Sequence, residues 1–230
     1  MKNLLLSLAA IVLFTMSMSA QKQFTGIIKS KMDVEGENID AAMKAVFPME
    51  IEMKVLNNKG RTDMNQGGIG ITTIVDGDNN KMYQIYDLTI GGMGIYYMEM
   101  PTKNDKQKID YQYDKNDKKT ILGYECYKAT CIVTNLETDE TQEIVMYISD
   151  DFLPDFKQME YGEFKGFPLY TKMKMPGDDH DFFLTTEVIE IKADKKIKPV
   201  NFLLPAGAKS FDEAPAKLKA MFGMGEEEDD

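Results

Sequence analysis

Apolar residues recur at every second position along much of this chain, and that period of two restricts the fold more than any other feature. Met49, Ile51, Met53 and Val55 alternate strictly with Glu50, Glu52 and Lys54. An extended backbone sends successive side chains to opposite faces, so the segment reads as a strand with one dry and one wet face. Gln142 to Ile148 repeats the pattern, with Ile144, Met146 and Ile148 alternating with Val145 and Tyr147. From Gly166 onward, Phe167, Leu169, Thr171, Met173 and Met175 share one parity, against Tyr170, Lys172 and Lys174 on the other. Ahead of both lies T-I-L-G-Y-E-C-Y-K-A-T-C-I-V-T, Thr120 to Thr134, β-branched and aromatic without proline. It predicts a central strand packed on at least one face. Strands spaced this closely predict an antiparallel scaffold.

The remaining segments extend the plan. Phe24 to Met32 reads as a strand, and Asn38 or Asp40 can cap a short helix over Ala41 to Phe47, stopped by Pro48. Asn57 to Gly60 supplies a hairpin turn, Arg61 to Met64 begins the return, and Gln66 to Gly70 reads as a flexible patch. Ile71 to Val75 and Lys81 to Tyr86 flank D-G-D-N-N, a second hairpin signal. Gly91 to Met100 fits an edge strand or a loop over an apolar opening. Ile109, Tyr111 and Tyr113 form a strand, followed by a charged turn at Asp114 to Lys119. Phe182 to Lys192 is apolar on both parities, as an interior strand would be. Val200, Phe202 and Leu204 read as a last extended piece, and Ala214 to Phe222 as a closing helix. The sum is nine to eleven strands and three short helices in one mainly β domain.

Compartment and charge narrow the function. Met1, Lys2 and Asn3, the apolar stretch Leu4 to Phe14 and the small-residue exit Ser17 to Ala20 have the layout of a secretory signal peptide over residues 1–20. Its apolar part is shorter than the ~20 residues a membrane span takes. Cleavage is expected near Ala20 and Gln21, or after Ser19. No cysteine stands directly after that point, as a bacterial lipoprotein would require, so the expected product is unlipidated, soluble and periplasmic or secreted. Residues 21–223 then form one β domain, and residues 224–230 a solvated, disordered acidic tail. The formal net charge of −11 becomes −12 without Lys2. Such a chain repels phosphate backbones and anionic lipid, which argues against nucleic-acid partners and stable membrane insertion. Cys126 and Cys131, five residues apart on one strand, would stand roughly 17 Å apart on opposite faces, beyond the reach of a disulfide. Two buried thiols are expected.

Parts for catalysis are scarce. The one histidine, His180, stands in the polar loop of Gly177, Asp178, Asp179 and Asp181, where a solvated side chain is the simpler expectation than an oriented base. Nothing in the spacing selects a carboxylate pair. Zinc would have to draw on Cys126, Cys131 and His180, from opposing faces or distant segments. Asp76, Asp78 and Asn80 imitate the start of a calcium loop, but glycine holds its second position and strands flank it, so a plain turn is expected. No cofactor is expected. Methionine is the unusual count, at 18. Met98 with Met100 and Met173 with Met175 could bind soft Cu(I), though same-face pairs also pack strand interiors.

The segment I-L-G-Y-x-C-x-K-A at Ile121 to Ala129, followed by Y-I-S-D at Tyr147 to Asp150, G-F-P-L at Gly166 to Leu169 and V-N-F-L-L-P-A-G at Val200 to Gly207, resembles exported proteins grouped with the LolA/LolB lipoprotein-carrier fold. A weaker likeness, to the secreted family named for its G-L-P-G-L-I motif, departs from that motif at Gly166 to Leu169. The resemblance implies a strongly curved antiparallel sheet forming a half-open barrel, with short helices covering its concave side. In the carriers that hollow holds acyl chains. The expectation is a non-enzymatic binding protein for an apolar small molecule, lipid or lipidated protein. Its lining, by parity, is Met49, Ile51, Met53, Val55, Ile144, Met146, Ile148, Phe167, Leu169 and Met173. An envelope accessory protein with a packed barrel and a protein partner is the alternative, and Cu(I) binding through methionine pairs a third.

Overall fold

In the computed structural model, residues 24–36, 39, 44, 50–66, 68–101, 105–151, 166–175 and 181–222 are described. The signal segment, the acidic tail, most of the helix expected at 41–47, and the loop holding His180 lie outside them.

Two antiparallel meanders make up the sheet. The first consists of β1 (Thr25–Glu35), β2 (Glu50–Leu56), β3 (Lys59–Gln66), β4 (Ile69–Asp76), β5 (Lys81–Asp87) and β6 (Ile95–Met100). The second consists of β7 (Gln107–Ile121), β8 (Tyr124–Asn135), β9 (Thr141–Ser149), β10 (Phe167–Met175) and β11 (Phe182–Ala193). Its last strand returns to pair with β1, so the two meanders join at a β1–β11 seam. A two-residue strand, β12 (Lys209–Ser210), adds in parallel to β6. The order is β12-β6-β5-β4-β3-β2-β1-β11-β10-β9-β8-β7, one mixed sheet that does not close into a barrel. As expected, β11 is interior.

Gly26 stands at the seam, opposite Val55 on one side and Ala193 on the other. A Cβ there would come within 2.2 Å of the Lys192 carbonyl oxygen and 2.5 Å of the Phe24 ring. The close approach of backbone and ring requires glycine.

Register divides the side chains between two faces. On the Ile28 face lie Ile28, Met53, Thr62, Thr73, Gln84 and Met98 in the first meander, and Leu184, Met173, Ile144 and Cys131 in the second. On the opposite, Ile27 face, Ile74 and Ile85 are buried by Ile197 and Phe202, with Ile27, Leu56, Ile95 and Leu204 around them. The chain beyond β11 accounts for both covers at the β6 edge. A 3₁₀ turn, Pro199–Phe202, sits on the Ile27 face, where Arg61 donates to the Asn201 carbonyl at 3.3 Å. The chain then pairs with the edge as β12, and Phe211, Ala214 and Leu218 pack on Tyr86, Leu88 and Tyr96 of the Ile28 face. The edge is thereby clamped from both sides. Leu218 belongs to α1 (Ala216–Met221), and no helix among the described residues is long and apolar enough to cross a membrane.

Several sequence expectations change. The run Thr120 to Thr134 is not one strand: it turns at Leu122 and Gly123, whose φ values are 50° and 85°. Two successive positive φ values give a tight hairpin whose twist matches the strands. Asp114 to Lys119 is not a turn but part of β7, with a bulge that leaves Lys115, Asn116 and Asp117 unpaired between Asp114↔Lys128 and Lys118↔Tyr127. Charges and a bulge are what an exposed edge strand carries against unwanted pairing. The patch at 66–70 is a short connection between β3 and β4, which pair as far as Gln66↔Ile69. Gly91 to Met100 divides between the end of a 3₁₀ turn, Thr89–Gly91, and β6, Ile95–Met100. Val200 to Leu204 is not extended, because Pro199 opens a 3₁₀ turn instead. The strands number twelve among the described residues, and the closing helix is shorter than expected.

Candidate functional site

Of the ten residues assigned to a lining by parity, Met49 lies outside the described residues. Eight of the other nine fall into two groups, and Ile51 into neither. Val55, Phe167 and Leu169 share a cluster with Ile28, Ile121, Cys126 and Val188, against which Met53 packs. Ile144, Met146 and Ile148 share another with Ala129 and Cys131, against which Met173 packs. Ile51 is half-buried beside Ser30 on the Ile28 face. The first cluster runs across the seam, from Val55 of β2 through Ile28 of β1 and Val188 of β11 to Phe167 and Leu169 of β10, the strand that also carries Met173 of the second. One bulge, between Lys29 and Ser30, lies in the β1–β11 ladder, and another, between Pro168 and Tyr170, in the β9–β10 ladder; added local twist is expected at each.

Register also shows what parity alone could not. Met32, Met53, Met64, Met82, Met98, Met100, Met146, Met173 and Met175 are the nine strand methionines among the described residues, and all lie on the Ile28 face. Met82 and Met146 are buried; the other seven are half-buried. The interior of the Ile27 face uses Ile74, Ile85, Ile27 and Ile95 instead. Methionine, unbranched with three rotatable bonds, packs against irregular or changing surfaces, whereas isoleucine suits a fixed one.

The polar groups of the Ile27 face are satisfied locally. Asp63 accepts from Arg61 Nε at 2.9 Å, Thr72 Oγ1 at 2.7 Å and Lys54 Nζ at 3.1 Å. Burial alone would raise its carboxyl, but the bonds from Arg61, Thr72 and Lys54 outweigh that and hold it below the usual carboxylate range. In the D-G-D-N-N hairpin, Lys59 pairs with both Asp76 and Asp78, and Asn79 Nδ2 donates to Asp76 at 2.8 Å. The acids that imitate a calcium loop are thus engaged by a cation of the neighbouring strand.

Around the β7 bulge, Tyr147 donates to Asp117 at 3.0 Å and Tyr127 to Asp150 at 2.9 Å. Lys119 lies 4.4 Å from the Tyr170 ring centre and 5.5 Å from that of Tyr147. Burial, then the Asp150 carboxylate, pushes the Tyr127 phenol well above its ordinary value. These are stabilising surface contacts on phenols that stay protonated. Both cysteines are free and buried, five residues apart on β8, in different clusters. Burial raises both thiols, which keeps them protonated and unreactive at neutral pH.

No protein-family model matches the chain, and no curated protein matches it. Among solved structures, the chain is similar to a DUF1329 family protein from Desulfovibrio piger, at 10% identity and a TM-score of 0.25, with 79% of this chain and 90% of that one covered.

Proposed function

We propose that this is an exported, non-enzymatic binding protein that holds an apolar ligand, an acyl chain or a lipidated partner, against the Ile28 face. The observation that carries the reading is the segregation of the nine strand methionines to that face, most of them half-buried. A surface of unbranched, polarizable side chains can repack around acyl groups of different shape. The sheet bends about its bulged middle into a half-open barrel, with short helices over the hollow. Val55, Ile148 and Leu169, at 0% exposure, support that shape, because a single flat layer leaves its face wet. The lining is Ile51, Met53 and Val55 on one wall, and Ile144, Met146, Ile148, Phe167, Leu169 and Met173 on the other.

Titration of the purified protein with a fluorescent fatty acid, with lipid mass spectrometry of solvent extracts, tests the proposal. Saturable binding that weakens in a Met53→Lys, Met64→Lys variant is expected. No saturation, together with extracts free of lipid, would overturn it. Val200 and Leu203, at 64% and 61% exposure, favour a protein partner as a second reading. They stand three residues apart at the 3₁₀ turn, where side chains eclipse.

A further inference from the structure

The geometry points to a soft monovalent metal site, for Cu(I) or Ag(I), formed by Met82, Met98 and Met100 at the open end of the β5–β6 hairpin. Met82 and Met100 are directly opposed, and Met98 stands two residues along β6 on the same face, opposite Gln84. Opposed residues hold their Cβ atoms about 4.5–5.5 Å apart, and residues i and i+2 on a strand lie roughly 6.6 Å apart. Each sulfur sits on a freely rotating stem, so three thioethers at these spacings can converge on one point. Thioethers select Cu(I) over harder divalent ions.

Three further observations fit an ion. Met82 is 8% exposed while Met98 and Met100 are half-buried, so the place is dry behind and reachable in front. Of the trio, Met98 packs against the Tyr86–Phe211 cluster, while none of the five apolar clusters among the described residues includes Met82 or Met100, whereas Met146 and Met173 are packed into theirs. The charges adjoining the trio along β5 and β6, Lys81 and Glu99, pair with each other at 3.2 Å, and their parity puts them on the opposite face. The trio's same-face ladder neighbours, Val75, Gln84 and Tyr96, include no charged side chain, and the Gln84 amide opposite Met98 is a neutral donor that a soft ion disfavours beside thioethers.

The inference rests on register and stands whether or not an acyl chain binds. Its test is titration of the purified protein with Ag(I), a redox-inert probe, by calorimetry and by the ¹³C shifts of the methionine methyls. One equivalent should bind, with the largest shifts at Met82, Met98 and Met100. Met→Leu exchanges in a core cost little stability, so the triple variant M82L/M98L/M100L should fold. Loss of a partner one shell beyond a metal already costs about 10–100-fold in affinity, so each single variant should lose at least about tenfold. The triple variant should lose the site, and M32L/M175L, at strand methionines remote from the trio, should bind as the parent does. Equal binding by the parent and the triple variant, or no stoichiometric binding by the parent, would overturn the assignment.

Discussion

Gly26→Ala tests the seam that makes one sheet of two meanders. The added methyl would meet the Lys192 carbonyl oxygen at 2.2 Å and the Phe24 ring at 2.5 Å. The ring can swing away, but the carbonyl is held in the β1–β11 ladder, with Ile27↔Lys192 and Gly26↔Ala193 in register. Relief therefore means parting the two strands, and overpacking of this kind costs about 3 kcal/mol, the upper end of the usual range. The control is Gly123→Ala, in the β7–β8 turn. There a methyl meets nothing within 4 Å, so the penalty is only that of a φ of 85°. A left-handed L-residue costs about 1–2 kcal/mol. In urea, with a slope of about 2 kcal/mol per molar, Gly26→Ala should lower the midpoint by about 1.5 M and Gly123→Ala by about 0.5–1 M. If Gly26→Ala unfolds with the parent, or costs less than Gly123→Ala, then β1 and β11 are not packed as described.

The buried thiols give a second test: iodoacetamide should leave Cys126 and Cys131 untouched in native protein at pH 7.5 and alkylate both in guanidinium, and native-state labelling at either would refute their burial. Asp63→Asn should cost about 1 kcal/mol at pH 7, the low end for bonds to a charged group because Asp63 is 31% exposed. Since the folded carboxyl lies below its unfolded value, its contribution is present above pH ~4 and fades as pH falls through the folded value. The gap between parent and variant in urea should therefore shrink at pH 3; a constant gap would refute the network. Dilute peroxide should oxidise half-buried Met53, Met64 and Met100 before buried Met82 and Met146, read by peptide mass mapping, and should weaken apolar-probe binding as sulfoxides replace thioethers. Uniform oxidation across all five would contradict the assigned exposures.

Strand existence was legible wherever one parity was uniformly apolar, as in Met49 to Val55 and Gln142 to Ile148, because a half-buried strand writes its period into the sequence. The Leu122–Gly123 turn was not. It interrupts an otherwise strand-like run, and leucine is an uncommon occupant of positive φ, so no Asn-Gly or Asp-Gly signal marked it. The charges of Asp114 to Lys119 looked like a turn because an edge strand facing water and a solvated loop select the same residues. The site was legible within strands and not between them. Parity put Met53 beside Val55 correctly, but whether Met82 shares a face with Met98 depends on pairing, and Gln84 between Met82 and Tyr86 blurs the apolar row. Register is a long-range property, and a slip of one residue would have sent either set to the other face.

The two faces of the first meander pose different packing problems, which supports a working role for the Ile28 face. On the Ile27 face the cover is part of the chain itself: Ile197, Phe202 and Leu204 arrive with a 3₁₀ turn held by Arg61, and Ile74 and Ile85 meet them. A partner fixed by covalent connection presents one shape, and β-branched side chains with few rotamers lose little entropy in matching it. On the Ile28 face seven half-buried methionines are spread among the other side chains, from β1 to β6 and on β10. Ordering a methionine costs up to about 2 kcal/mol of rotamer freedom, against about 0.5–1 for isoleucine. For a permanently filled interior, isoleucine would be the better choice on that count, as the opposite face shows. Retaining methionine at nine strand positions of one face makes physical sense where the contact changes and the side chains must repack with it.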